Sequence, residues 1–235
     1  MSDSRPGLRL ATYNVEWFNA LFDDAGRMLD DREPSTRYKI TRGEQLAALA
    51  IVFSALDADG ITIIEAPDTN GHRSTVKALE TFARAAGLRA RKAIIGYPSE
   101  TEQEIAFLYD PDRLTARHDP LGHPANSHGS HDAPRFDTIF RYDLDADNIS
   151  ETIRFSKPPL ELALTTKGGT KLRTISVHAK SKNPHGAFGR EAQIRLSIEN
   201  RRKQLAQCLW IRQRVDAHLA AKDSLLVMGD FNDGP

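Results

Sequence analysis

Short apolar runs alternate with longer stretches of helical spacing along this chain of 235 residues. Residues 8–15, 60–65, 90–95, 104–109, 160–165, 171–177 and 225–228 read as strands, and 137–144 and 150–155 as weaker ones. Between them, Leu46, Leu49, Phe53 and Leu56 recur at helical spacing over 41–56. Val76, Leu79, Phe82 and Ala83 do the same over 75–86, where Gly87 closes the pattern. Residues 189–221 predict one long helix or a broken pair, with Leu205, Cys208, Leu209, Val215 and Leu219 as the core face. Residues 18–38 carry charge without a period, and a loop of that length is expected to be functional or mobile. Irregular alternation of strands and helices predicts an α/β sandwich over 1–235, with no linker or repeat to divide it.

What distinguishes the strands is how they end. Residues 225–228 are followed by Gly229, Asp230, Phe231 and Asn232. A period of two sends Asp230 and Asn232 to one side and Phe231 into the core. A carboxylate and an amide aimed at one point suit metal-assisted phosphoryl chemistry; the bland alternative is an Asx-turn at a strand end. The first strand ends Thr12-Tyr13-Asn14-Val15-Glu16-Trp17, where alternation puts Asn14 and Glu16 on one side and Tyr13, Val15 and Trp17 on the other. Glu65 closes an apolar strand and must be hydrated, paired or coordinated to a cation. Asp68 and Asn70, just after it, read as turn chemistry. The strand at 171–177 ends in His178, with Lys180 and Lys182 at even spacing on its face for as long as strand geometry lasts. An imidazole with two ammonium groups can bind a phosphodiester and stabilise charge in a transition state.

Bulk properties narrow the partners. Lysine plus arginine and aspartate plus glutamate both number 32, so no global basic field draws the chain to nucleic acid, and such affinity would need a local patch. Arg201-Arg202-Lys203 reads as a solvated turn of helix or a contact to a phosphate backbone. The one cysteine, Cys208, excludes an internal disulfide and reads as a small buried hydrophobe. His118, His123, His128 and His131 fit no metal-ligand spacing and read as a solvated loop. The start lacks the apolar region of a signal peptide, and the longest apolar run, 46–56, is too short to span a bilayer. A cytoplasmic protein without an obligate protein partner is the expectation.

Taken together, these strand ends resemble the endonuclease/exonuclease/phosphatase superfamily (the DNase I-like proteins) from about residue 8 to 235. Gly229-Asp230-Phe231-Asn232, Asn14 with Glu16, Glu65, and His178-Ala179-Lys180-Ser181-Lys182 carry the resemblance. It implies a four-layer α/β sandwich of two mostly antiparallel sheets flanked by helices. It also implies Mg²⁺ or Mn²⁺ held by Glu65 with Glu16, the latter a longer-armed variant of the family's frequent Asp. Asp230 would orient or deprotonate the attacking water, Asn232, Asn14 and His178 would hold phosphate oxygens, and Lys180 and Lys182 would bind substrate. Residues 106–114 also look like the family. Lys157, in Lys157-Pro158-Pro159-Leu160, stands where many members have Arg. Members finish with a Ser-Asp-His-like motif that has no counterpart here. A fragment lacking its last strands, with a weakened sheet edge and slow turnover, is the expectation.

Three functions fit: a nuclease acting on DNA or RNA, a phosphatase or phosphodiesterase for small molecules or lipid head groups, and a non-catalytic module that keeps the fold.

Overall fold

The computed structural model describes residues 7–36, 39–99, 101, 103–125, 132–143 and 151–234. Of the positions read above, 1–6, Tyr38, His128, His131, Leu144, Ser150 and Pro235 lie outside the described residues. In chain order the elements are β1 (Leu10–Asn14), α1 (Arg42–Leu56), β2 (Gly60–Pro67), α2 (Thr75–Ala85), β3 (Lys92–Ile95), β4 (Gln103–Tyr109) and β5 (Leu114–His118). β6 (Phe140–Tyr142), β7 (Glu151–Ile153), β8 (Leu160–Thr166), β9 (Lys171–His178), α3 (Arg190–Ala220) and β10 (Leu225–Asp230) complete the series. No helix among the described residues is long and apolar enough to cross a membrane.

Two four-stranded sheets, ordered β1-β2-β4-β3 and β10-β9-β8-β5, stack face to face. Each has one parallel pair at an edge, β1 with β2 and β10 with β9, and is otherwise antiparallel. Alternation along β2 builds two layers at once. Ile61 and Ile63 face Leu46, Leu49 and Phe53 of α1 and Leu79 and Phe82 of α2. Ile64 faces Leu160, Leu162 and Leu164 of β8 in the other sheet. Between the sheets, the hydroxyls of Thr62 and Ser176 meet at 2.9 Å, so two buried polar groups satisfy one another. α3 covers the outer face of the second sheet, with Trp210 and Ile211 against Ile175 and Val177. The result is the expected four-layer α/β sandwich of two sheets flanked by helices.

Local chemistry explains the boundaries. Thr41 caps α1 in a capping box with Glu44, worth about 1 kcal/mol, and Ser74 caps α2 by accepting from the Lys77 amide. Three features go beyond the sequence pattern. The loop from residue 18 is pinned at its start: Phe18 and Leu21 are wholly buried, and Phe18 packs edge-on against Phe82. His118, expected in a solvated loop, instead ends β5, which forms because residues 114–118 pair with β8, a long-range partner no local pattern reveals. β10 is half-buried with Leu226 exposed, and among the described strands it pairs with β9.

α3 departs most from its predicted face. Leu205 and Leu219 are exposed, while Asn200, Gln204, Gln207, Ile211, Arg214 and His218 are buried. These six recur at spacings of four and three, so the buried stripe is helical in period but mostly polar in composition. Its side chains hold loops. Asn200 donates to the Asn183 carbonyl at 3.0 Å, Gln204 to the carbonyls of Phe231 and Asn232, and Gln207 to that of Arg154. Arg214 donates to the carbonyls of Ala133 and Pro134, and His218 meets Asp223 at 2.8 Å.

Candidate active site

Parallel pairing decides where the polar strand ends meet. Asn14 lies opposite Ile64 in the first sheet and Asp230 opposite His178 in the second, so the C-terminal ends of β1, β2, β9 and β10 share one edge of the sandwich. Asn14 bridges the sheets there: its Nδ2 donates to Asp230 Oδ2 at 3.0 Å. The backbone amide of Asn232 donates to Asp230 Oδ1 at 2.8 Å, and the Asn232 side chain donates to the Ala179 carbonyl at 2.9 Å. Each Asp230 oxygen thus has one fixed donor and keeps further acceptor capacity. Gly229 makes this approach possible. A Cβ there would lie 2.1 Å from the Val177 carbonyl oxygen, and its φ of 133° suits glycine alone.

Glu65 is not the last residue of its strand. β2 continues to Pro67, and a bulge sets Glu65 and Ala66 against the single residue Glu104. Ala66 therefore takes the helix-facing row that Glu65 would have occupied. Glu65 itself has φ 63°, a left-handed conformation that strains a non-glycine residue by about 1–3 kcal/mol. Its Oε2 accepts from Gln103 Nε2 at 2.8 Å and from the Trp17 amide at 3.3 Å.

Asn14 and Glu16 do not share a strand face, because β1 ends at Asn14. The Glu16 amide donates to Asn14 Oδ1 at 3.1 Å in a tight turn, and Glu16 and Trp17 have φ near 53°. Trp17 is exposed rather than in the core, whereas Val15 is buried. Six non-glycine residues among those described have positive φ. Asp57 and Lys222 close helices α1 and α3, and the other four are Glu16, Trp17, Glu65 and Asn232, at or beside this edge. Strain concentrated at one place marks geometry that the surrounding fold imposes.

His178 Nε2 lies 4.0 Å from Glu65 Oε1, beyond hydrogen-bond reach, and the ring is mostly buried with no partner for Nδ1 among the described residues. Burial first and the nearby charge of Lys157 second lower its pKa, Asp230 opposes both, and the net value is about 4. The imidazole is neutral near pH 7. Lys180 and Lys182 do not follow it along a strand face, because β9 stops at His178. The Lys180 amide donates to Gln207 Oε1 at 2.7 Å and its side chain is exposed, while Lys182 Nζ donates to the Gly234 carbonyl. Asp68 and Asn70 form the expected turn, with Arg73 paired to Asp68 at 3.0 Å.

Several contributors were not singled out in the sequence. Gln103 orients Glu65 from β4, and only the β2–β4 pairing reveals it. Lys157, placed by the resemblance but given no role by the sequence, is another. Burial lowers its pKa, Glu65 and Glu104 pull it back up, and Lys180 pushes it further down, which places it among these groups. Glu104, buried behind the bulge, accepts from the amides of Ser99 and Thr69 and so ties two loops to β4. Burial raises its pKa to about 7, against those amides.

Oxygen donors dominate the metal-capable groups here, which suits Mg²⁺ or Mn²⁺ better than zinc. No group of three or more His, Cys, Asp or Glu among the described residues forms a ready cation cage. A half-buried Glu65 with its carboxylate fixed by Gln103 fits a hard ion that takes one or two carboxylates and keeps its waters.

No family model and no curated protein sequence matches the chain. Solved structures resemble it at low identity. A truncated TDP2 from Caenorhabditis elegans is 15% identical over 80% of this chain and 54% of that one, with a TM-score of 0.41. ANGEL2, a 2',3'-cyclic phosphatase, is 13% identical over 81% of this chain and 44% of that one, with a TM-score of 0.43. A mannosyl-6-phosphatase from Bacteroides thetaiotaomicron is 15% identical over 96% of this chain and 66% of that one, with a TM-score of 0.46. The chain thus spans about half the length of the first two.

Proposed function

We propose that this chain is a divalent-metal-dependent phosphoester hydrolase acting on phosphodiesters, with nucleic acid as the substrate class. The observation that carries the reading is the meeting of Asn14, Glu65, His178, Asp230 and Asn232 at one edge of the two sheets, with Asn14 and Asp230 in contact. Asp230, held through both carboxylate oxygens, orients a water and accepts its proton. His178 is neutral and donates to a phosphoryl oxygen from a mostly buried ring, which makes that bond stronger than in water. Lys157 and Lys180 offset phosphate charge. Glu65, with Glu16, would hold Mg²⁺ or Mn²⁺, which would supply the charge that stabilises developing negative charge on phosphate oxygens.

The test is hydrolysis of bis(4-nitrophenyl) phosphate and of a short oligonucleotide with added Mg²⁺. The chain is expected to cleave both, and Glu65→Ala and Asp230→Asn to lose about a hundredfold or more. Release of phosphate from 4-nitrophenyl phosphate, with neither diester touched, would move the reading to a phosphomonoesterase.

A further inference from the structure

α3 does not begin against the body of the protein. None of its first ten residues, 190–199, is buried. The packed remainder of the 31-residue helix holds these turns in helical form, so their bare surface is presented in a fixed shape to a partner. The connection to it from β9 starts immediately after His178 and is exposed or half-buried from Lys180 to Gly189. Phe188, at its end, is 93% exposed.

The chemistry of this segment differs from that of the whole chain. Residues 180–202 carry Lys180, Lys182, Arg190, Arg195, Arg201 and Arg202 against only Glu191 and Glu199, in a chain whose net charge is zero. A local basic strip beside a bare aromatic ring is what a flexible polyanion with stacking faces requires: cations follow the phosphates and a base stacks on the ring. Between this strip and the loop after β10 lies a surface cavity of ≈ 540 Å³ lined by Arg201, Arg202, Leu205, Phe231 and Asp233, with the exposed Asp233 at 3.8 Å from Arg201 and Phe231 adjoining Asp230.

We propose that residues 180–202 are a docking surface for single-stranded nucleic acid, with Phe188 as a stacking platform, that leads the strand toward His178; this rests on the phosphodiesterase reading above. Ile194 and Ile198 are also exposed, at 50% and 52%, and would suit a protein partner or a second copy of the chain. Two facts favour nucleic acid: the excess of cations around those positions, and the attachment of the strip to the strand that bears His178. A duplex would keep its bases stacked and leave Phe188 no face to cover.

The experiment measures binding of fluorescein-labelled dT16 by anisotropy in EDTA, for the full chain, Phe188→Ala and the double variant Arg190→Gln/Arg195→Gln. Mg²⁺-dependent hydrolysis of bis(4-nitrophenyl) phosphate is followed in parallel. Each variant is expected to bind dT16 at least about fivefold more weakly. The double variant is expected to lower the slope of log affinity against log salt by about 1.4, at roughly 0.7 per lost phosphate contact. Hydrolysis of the small diester is expected to stay within about twofold of the parent, since it is too short to reach the strip. Unchanged dT16 affinity in both variants overturns the proposal. So does a parent chain that hydrolyses the small diester but does not bind dT16, an outcome that leaves the hydrolase reading standing. A self-association abolished by Ile194→Glu/Ile198→Glu with dT16 affinity unchanged also overturns it and makes the strip a contact between copies. Loss of dT16 binding in the variants without hydrolysis by any form supports the docking surface and removes the hydrolase.

Discussion

Asn14 and Asp230 are 216 positions apart in sequence and share a hydrogen bond of 3.0 Å, the one that ties the ends of β1 and β10 across the two sheets. Asn14 has a double task, because its Oδ1 also accepts from the Glu16 amide and fixes the turn after β1. Asn14→Ala is expected to lower phosphodiester turnover by about tenfold, by freeing both the Asp230 carboxylate and that turn. Asn14→Asp should do more harm, since it sets a second carboxylate beside Asp230 and favours a shared proton. A pH–rate profile checks this: its acid limb should move upward in Asn14→Asp and not in Asn14→Ala.

Gln103 is expected to matter through Glu65 alone. Gln103→Leu removes the donor to Oε2 while keeping a side chain of similar bulk on β4. Turnover should fall about tenfold, with a higher Mg²⁺ concentration needed for half-maximal rate, as when an outer partner of a metal ligand is removed. Circular dichroism and urea unfolding should remain near those of the parent.

Gly229→Ala is expected to break the joint between β9 and β10. The added methyl would meet the Val177 backbone at 2.1 Å, and the φ of 133° would remain strained even if the strands parted. Urea unfolding should show a loss of at least about 2 kcal/mol.

The pH dependence of stability should carry two opposing signatures. The folded-state pKa of His178, about 4, lies below its ordinary 6.5, so the unfolded chain binds more protons between these values. Stability from this group is present above about pH 6.5 and is lost as pH falls toward 4. Glu104 is the reverse: its pKa of about 7 exceeds the ordinary 4.5, so its contribution is present below about 4.5 and is lost as pH rises through 7. Relative to the parent, His178→Gln should flatten the first slope and Glu104→Gln the second, in urea unfolding measured from pH 4 to 8.

Behind β8, the almost wholly buried Arg214 and Glu161 face each other at 3.0 Å. Arg214→Met is expected to cost about 3–5 kcal/mol, by stranding a buried carboxylate, whereas adding Glu161→Leu should restore much of it. Restoration will be incomplete, because Arg214 also holds the carbonyls of Ala133 and Pro134. The pair of unfolding curves decides the point.

How legible was this in the sequence? The polar positions were, because Asn14, His178 and Asp230 end strands and Glu65 interrupts an apolar one, and a polar residue at such a place must be explained. Their convergence was not, since parallel pairing of β1 with β2 and of β9 with β10 is a long-range choice. Period-two reasoning also failed where the chain leaves strand geometry. The bulge at Glu65, the turn at Glu16 and the stop of β9 at His178 each replaced alternation with a local bend. α3 misled for another reason: a face that must satisfy carbonyls is built from Asn, Gln and Arg, and apolar periodicity does not register it.

That polar stripe has a bearing on how the protein can change over evolutionary time. Asn200, Gln204, Gln207 and Arg214 hold the backbone carbonyls of Asn183, Phe231, Asn232, Arg154, Ala133 and Pro134, not their side chains. Anchorage is therefore largely indifferent to the identity of the residue anchored. The loops so anchored can drift in sequence, and substrate preference with them, while one helix keeps their paths. Variation should be tolerated on the loops and resisted on the stripe.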